Sequence, residues 1–206
     1  MSEHMALENL TVLDLTRVLA GPFCTMMLAD MGANVIKIEV PKGGDDTRSY
    51  PPFRAKNLNG ERESVYFANI NRNKKGITLN LKAPEGKEIF KELVKKADIV
   101  VENYRPGVMD KLGLGYDVLK EINPRIIYAA VSGFGCYGPY HLRPGYDILA
   151  QAMGGMMSIT GSKGGEPTRA GSALGDILGG LHVTIGILAA VNARTITGKG
   201  QRVDVS

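Results

Sequence analysis

The sequence predicts an α/β fold: an open, mostly parallel sheet with helices flanking it. Three observations predict it. β-forming apolar runs alternate with helical stretches along all 206 residues. The N-terminal part reads strand, loop, helix, strand, the unit that makes a parallel pair through a right-handed crossover. The 26 glycines are scattered singly or in pairs, which suits turns and close packing and excludes a low-complexity tract.

The elements follow in order. Residues 11–15 alternate and are rich in β formers, so they make a first strand. Pro22 suits the first turn of a helix that runs to Met31 and stops at Gly32. Residues 34–39 form a second strand. Residues 42–60 are polar, with paired glycines, aspartates and prolines, and read as a long functional or mobile loop. Residues 65–71 are weakly helical or irregular, and 76–80 are a short strand. Pro84 opens a clear amphipathic helix, with Ile89, Phe90, Leu93, Val94 and Ala97 on one face. Strands at 98–102 and 125–132 bracket a short helix at 116–122. A glycine-rich stretch follows at 133–139, then a helix at 146–154, a polar loop at 161–171 and a long helix at 176–195. The whole is a Rossmann-like open sheet. The chain stops inside a strand at Ser206, which reads as a truncation.

Composition narrows the function. Hydrophobic residues at 44% and charged residues at 22% place the chain among soluble globular proteins. A net charge of +4 mildly favours anionic ligands. No basic stripe is interleaved with aromatics and there is no Trp, so nucleic acid is a poor partner. The densest basic patch, Arg72 to Lys75, is either a solvated turn or an anion contact. Cys24 and Cys136 cannot make a disulfide framework, and Cys24 packs as a small hydrophobe. The first residues lack the basic and apolar regions of a signal peptide. His182, Thr184, Asn192 and three glycines interrupt the apolar run at 177–193, so it reads as a buried helix and not a membrane span. A reducing cytoplasm fits these features.

Several residues could carry chemistry. The β-loop-α-β start, with Glu39 at the end of the second strand, invites a dinucleotide-binding reading. The stretch Arg17 to Pro22 has one glycine where that fingerprint needs three. Asp176 sits at the start of the longest helix. It can be an N-cap, or a carboxylate held ionised there to attack a carbonyl. Backbone N–H groups beside it could hold an oxyanion, and Gly179 and Gly180 would let a thioester or another backbone come close. Tyr146 and Asp147, after Pro144 and Gly145, are either a helix-start acid with its neighbour or a phenol and second carboxylate facing the site. His182, on the apolar helix, reads as a satisfied core residue. No Ser-His-Asp order and no metal-ligand cluster stands out.

These pieces in order resemble the family III CoA-transferases, the formyl-CoA transferase and carnitine CoA-transferase group (CaiB/BaiF-like). The stretches that carry the resemblance are Val12-Leu13-Asp14-Leu15, Ala20-Gly21-Pro22, Leu28 with Gly32-Ala33, and residues 35–39. They continue with Asn71, Asn73-Lys74, Asp98, residues 101–103, Pro106-Gly107, residues 132–135, Gln151-Ala152, Gly175-Asp176 and residues 197–201. The resemblance spans residues 7–206.

It implies that Asp176 is the catalytic carboxylate, working through a mixed anhydride and an aspartyl-CoA thioester. It implies that CoA meets Leu19, Ala20, Leu79, Asn80, Lys82, Asn103, Tyr104, Arg105 and Lys111, with Arg105 and Lys111 on the phosphates. Tyr146, Asp147 and Leu19 would line the acyl pocket. Coenzyme A or acyl-CoA is then a substrate, no cofactor or metal is tightly held, and the full-length form is a homodimer. Residues 1–206 would be the N-terminal part of the large domain, with a small domain and a C-terminal return outside this sequence. Formyl-CoA:oxalate enzymes look to carry Gln where this chain has Leu19 and Arg where it has Val40, which counts against oxalate as the acceptor. Two alternatives stay open: an α-methylacyl-CoA racemase on the same fold, disfavoured by Tyr146 where those enzymes use histidine, and an inactive fragment.

Overall fold

The computed structural model describes residues 4–54, 60 and 62–206. The signal-peptide reading of residues 1–3, and residues 55–59 and 61 in and beside the long polar loop, fall outside that range.

Six strands form one sheet: β1 (Thr11–Asp14), β2 (Asn34–Glu39), β5 (Lys75–Thr78), β6 (Ile99–Glu102), β7 (Ile127–Val131) and β8 (Arg202–Val205). Every neighbouring pair is parallel, in the order β5-β2-β1-β6-β7-β8. Numbered within this sheet alone, the order is 3-2-1-4-5-6, the doubly wound order whose ligand crevice opens between the first and fourth strands. Here those are β1 and β6. The chain leaves β1 toward one edge and resumes at β6 toward the other, so the loops after them part at that point.

Seven helices are described: α1 (Ala20–Asp30), α2 (Val65–Ile70), α3 (Pro84–Val94), α4 (Val108–Leu112), α5 (Tyr116–Ile122), α6 (Asp147–Met153) and α7 (Leu174–Thr197). Strand alternation sends Val12, Val101, Ala129 and Val131 to one face, where α1 and α7 cover them with Cys24, Leu28, Val183 and Ile187. Leu13, Val100, Tyr128 and Ala130 point to the other face, against Phe90, Met109 and Leu119 of α3, α4 and α5. Helices thus flank the sheet on both sides, as a buried parallel sheet requires.

Local expectations needed several corrections. α1 begins two residues before Pro22. Pro22 costs nothing at its third position, because the first four N–H groups of a helix have no internal partner anyway. The 65–71 stretch is a true helix, since the Ser64 hydroxyl accepts the Phe67 N–H at 3.2 Å and caps it. The long polar loop holds a short 3-10 turn at Asp46–Ser49 and a two-stranded antiparallel ribbon, β3 (Phe53–Arg54) with β4 (Glu63–Ser64). α4 was not expected; Gly107 and Gly113, both left-handed, bracket it.

α7 is not the buried helix its composition suggested. It is long and apolar enough to cross a membrane by length and composition, yet one face packs on the sheet while Leu178, Ile185 and Ile196 stay exposed. His182 lies on that exposed face, its Nδ1 2.8 Å from the Leu178 carbonyl, and is not a core histidine. Arg194 is the buried polar anchor of this helix. It pairs with Asp98 at 3.0 Å and donates to the Arg125 carbonyl at 3.1 Å, which fixes α7 over β6 and β7.

Candidate active site

All six strands of the sheet run the same way, so the loops after β1, β5, β6 and β7 gather at one edge. The predicted residues divide there into those that meet and those that do not.

Asp176 occupies the third position of α7. Ala173 is the N-cap and gives no side-chain bond. The carboxylate that caps this helix comes from α6: Asp147 Oδ1 accepts the Gly175 N–H at 2.8 Å. This overturns the N-cap reading of Asp176. Its own carboxylate has no hydrogen bond among the described residues and is half-buried. Burial, and then the neighbouring Asp147 charge, push its pKa up to about 6. It is therefore not held in the ordinary carboxylate range. It still ionises below neutrality and is more basic than a surface aspartate.

Asp147 reaches α7 because its loop is pulled back onto the sheet. Gly133, just after β7, lies so close to Gly145 that a Cβ on either would come within 2.2 Å of the other's Cα. Only paired glycines permit that crossing. Gln151, buried one turn further along α6, locks the arrangement. Its Nε2 donates to Asp147 Oδ2 at 2.7 Å, and its Oε1 accepts the Ala170 N–H at 2.8 Å. Gln151 was noted in the sequence but given no role. Tyr146 is the N-cap of α6 and is 70% exposed, so its ring does not close a pocket among the described residues.

Leu19 and Ala20 join Asp176 through Gly180. Gly180 is four residues after Asp176 and so on the same face of α7. A Cβ there would stand 2.6 Å from the Ala20 carbonyl oxygen. The close approach anticipated at Gly180 is thus made by the backbone of α1. Leu19 caps α1, and its carbonyl accepts the Phe23 N–H at 2.8 Å.

The loops at the switch point are clasped together. Asn103 Oδ1 accepts the Arg17 N–H at 2.8 Å, and Asn103 Nδ2 donates to the Arg17 carbonyl at 2.7 Å. This pair of bonds fixes Arg17 against the amide of Asn103 across the crevice. Tyr104 is half-buried, its N–H donated to Glu102. Arg105 and Lys111 are exposed cations beyond it. Leu79 is buried in the core, while Asn80 and Lys82 are exposed at the sheet's far edge, two strands from β1. There Asn80 Oδ1 accepts the Lys82 N–H at 3.1 Å.

Beneath the β1–α1 loop lies a charge network that sequence reading missed. Asp14 is fully buried and accepts from Thr16 N, Thr16 Oγ1 and Thr25 Oγ1 at 2.9, 2.5 and 2.7 Å. Lys74 Nζ sits 3.1 Å from it and also donates to the Pro22 carbonyl and Asn71 Oδ1. Burial alone would raise the Asp14 pKa, but Lys74, Lys37 and the Thr16 and Thr25 hydrogen bonds together hold it low. Lys37 pairs with Asp45 at 2.9 Å and donates to the Thr16 carbonyl. The basic patch is a solvated turn at Arg72, Asn73 and Lys75, which are exposed, with Arg72 paired to Asp30 and Lys75 donating to Asn34, whereas Lys74 turns inward to bind Asp14. Glu39 is equally committed, paired with Arg48 and accepting the Asp45 N–H. The signal was present. Asp14 and Lys37 stand among buried apolar neighbours in strands, and buried charges need partners. Tyr66 on α2 was also missed; burial and the nearby Asp176 charge push its phenol up to about 12.

The comparisons with known proteins agree with this architecture. The model of CoA-transferase family III matches residues 7–206. An acyl-CoA transferase of Fusarium pseudograminearum is 52% identical over all of this chain and 46% of its own length. An acetyl-CoA:oxalate CoA-transferase of Acetobacter aceti is 50% identical over 97% of this chain and 50% of its own. The crystal structure of a CAIB/BAIF family protein from Brucella suis superimposes with a TM-score of 0.94 at 45% identity, covering 99% of this chain and 53% of that one. The chain spans about half the length of the curated relatives it matches.

Proposed function

This chain belongs to CoA-transferase family III, and on that premise we propose that it carries the catalytic half of an enzyme moving coenzyme A from an acyl-CoA to a carboxylate. The observation that carries the reading is Asp176: a half-buried carboxylate with a raised pKa and no hydrogen bond of its own among the described residues, set in the first turn of α7. The helix end that would quench it is capped by Asp147 instead.

A carboxylate oxygen of Asp176 attacks the thioester carbonyl carbon. The C–S bond breaks, CoA leaves as thiolate, and a mixed anhydride remains. The thiolate attacks the aspartyl carbonyl and expels the donor carboxylate, leaving an aspartyl-CoA thioester. An acceptor carboxylate attacks that carbonyl, releases the thiolate and forms a second anhydride. The thiolate takes the acceptor acyl group, and Asp176 is free again. Each step exchanges bonds of similar energy. Burial makes the Asp176 oxygen more basic than a surface carboxylate while leaving it mostly ionised at neutral pH.

CoA would lie along the strand-end loops, past Leu19 and Ala20 toward Asn80, Lys82, Tyr104, Arg105 and Lys111, with no tightly bound cofactor required. The acyl pocket would lie beside Tyr146 and Asp147. Tyr137, Leu142, Tyr146 and Ile159 are large apolar side chains left exposed, which supports a homodimer as the working form; its place in the cytoplasm is part of the same proposal. Acetyl-CoA and oxalate are the substrates named for one relative, and succinyl-CoA and glutarate for another, from Homo sapiens. Dicarboxylates head the acceptor panel for that reason. The test is trapping: the protein extended to its relatives' length is incubated with an acyl-CoA, then hydroxylamine or borohydride, and digested. The modified mass is expected on the peptide with Asp176 and absent in Asp176→Asn. Modification at another residue would refute the mechanism.

A further inference from the structure

Glu102 ends β6 and is buried, and among the described residues no cation reaches it at ion-pair distance. Its Oε2 accepts the Tyr104 N–H at 2.7 Å and its Oε1 accepts the Tyr128 hydroxyl at 3.1 Å. Arg202 of β8 and Asp110 of α4 are the charged groups facing it, with the phenol of Tyr128. A carboxyl so placed is costly, and an apolar side chain would pack there without that cost. What it does for the fold is accept the buried Tyr128 hydroxyl with one oxygen and hold one backbone N–H in the loop at the switch point with the other.

That N–H lies between two functional parts. On one side Asn103 clasps Arg17 across the crevice. On the other, Arg105 leads through Gly107, at φ 83°, into α4 with Lys111. Two of the three residues of the 103–105 loop are therefore tied, Asn103 through its side chain and Tyr104 through its N–H, while the Arg105 side chain is exposed. We propose that Glu102 is the positioning residue of this loop: its acceptor oxygen fixes the Tyr104 backbone and so aims Arg105 and Lys111 at a phosphate-bearing ligand. This rests on the reading above that the ligand is CoA. Burial raises the Glu102 pKa to about 7, so near neutrality the carboxyl is often protonated and still accepts through its carbonyl oxygen. The bond depends on an oxygen at that place and not on its charge.

Glu102→Gln keeps an acceptor oxygen, Glu102→Asp draws it back by one carbon, and Glu102→Ala removes it. Two readouts on the full chain decide: hydrogen exchange of the Tyr104 amide, and the Kd for CoA by calorimetry. A hydrogen bond's net worth corresponds to roughly a tenfold change. Tyr104 protection should fall about tenfold, and the Kd should rise about tenfold, in the Ala and Asp variants. The Gln variant should stay within about twofold on both. In the family-length enzyme the Ala variant should raise KM for the CoA thioester and leave kcat nearly unchanged. If Ala leaves Tyr104 protected, or Gln fails as badly as Ala, the positioning role is overturned. If the parent chain binds no CoA, the CoA reading fails, and the exchange data alone then uphold or refute the hold on Tyr104.

Discussion

Lys74→Met should destabilise the fold by breaking the buried pair beneath the β1–α1 loop. The lysine meets three acceptors: Asp14, the Pro22 carbonyl and Asn71 Oδ1, at 3.1, 3.1 and 2.8 Å. Both charges are buried, with side chains 2% and 0% exposed. Methionine matches the stem but leaves Asp14 with hydroxyl and amide donors and the more distant Lys37. Breaking a buried pair by removing one partner costs about 3–5 kcal/mol. The two further acceptors it leaves, the Pro22 carbonyl and Asn71 Oδ1, both on buried residues, put the expectation at about 4 kcal/mol. For a chain of this size that is a fall of roughly 8–16 °C in Tm.

The pH dependence has a definite sign. In the parent, the Asp14 pKa is held below its ordinary value, so its contribution is present above about pH 4 and lost as pH falls through the folded value. Without Lys74 burial gains weight and the pKa rises, so the variant loses stability as pH rises past about 4. The gap between the proteins is therefore widest at pH 7–8 and narrows toward about pH 4. Urea denaturation at both ends measures it. Asp14→Asn added to Lys74→Met should recover at least half of the loss, because the uncompensated charge is gone. A loss under about 1 kcal/mol, or a double variant no more stable than the single, would show that this buried pair does not hold the loop.

Two further outcomes follow from the site. Asp147→Asn should move the titration of Asp176 below about 6 toward the ordinary aspartate value without reaching it, because burial remains the larger cause; carboxyl carbon NMR of Asp176 reads it directly, and in the family-length enzyme the acid limb of the pH–rate profile should shift the same way. Gly180→Ala should cost about 1–3 kcal/mol and weaken CoA binding, since its methyl would meet the Ala20 carbonyl at 2.6 Å, whereas Gly179→Ala, whose nearest contact is Val131 Cγ2 at 3.4 Å, should cost little.

Much of this molecule was legible in the chain. Residues 34–39, 84–94 and 116–122 fold as the strand and two helices expected, although Ile89, placed on the apolar face of the second, is exposed while Phe90 and Val94 are buried. The short α4 and the true start of α1 were not legible, because they depend on glycine backbone angles and on where the chain turns out of β1. The network of Asp14, Lys37, Asp45 and Lys74 hid for another reason: its pairs join different elements, Asp14 of β1 with Lys74 beside β5 and Lys37 of β2 with Asp45 in the loop, so no pattern within one element pairs them.

Asp176 shows the division most clearly. The sequence alone determined that an aspartate opens the longest helix and that the strands before it run parallel toward it, since side-chain periodicity and turn residues are local properties. Whether that aspartate was a cap or a free carboxylate was decided only by the tertiary structure. Gly133 and Gly145 cross, α6 lies beside α7, and Asp147, 28 residues upstream of Gly175, takes the Gly175 N–H in the first turn of α7. A helix N-terminus satisfied from outside leaves its own carboxylate unpaired, and burial beside a second negative charge then sets its basicity.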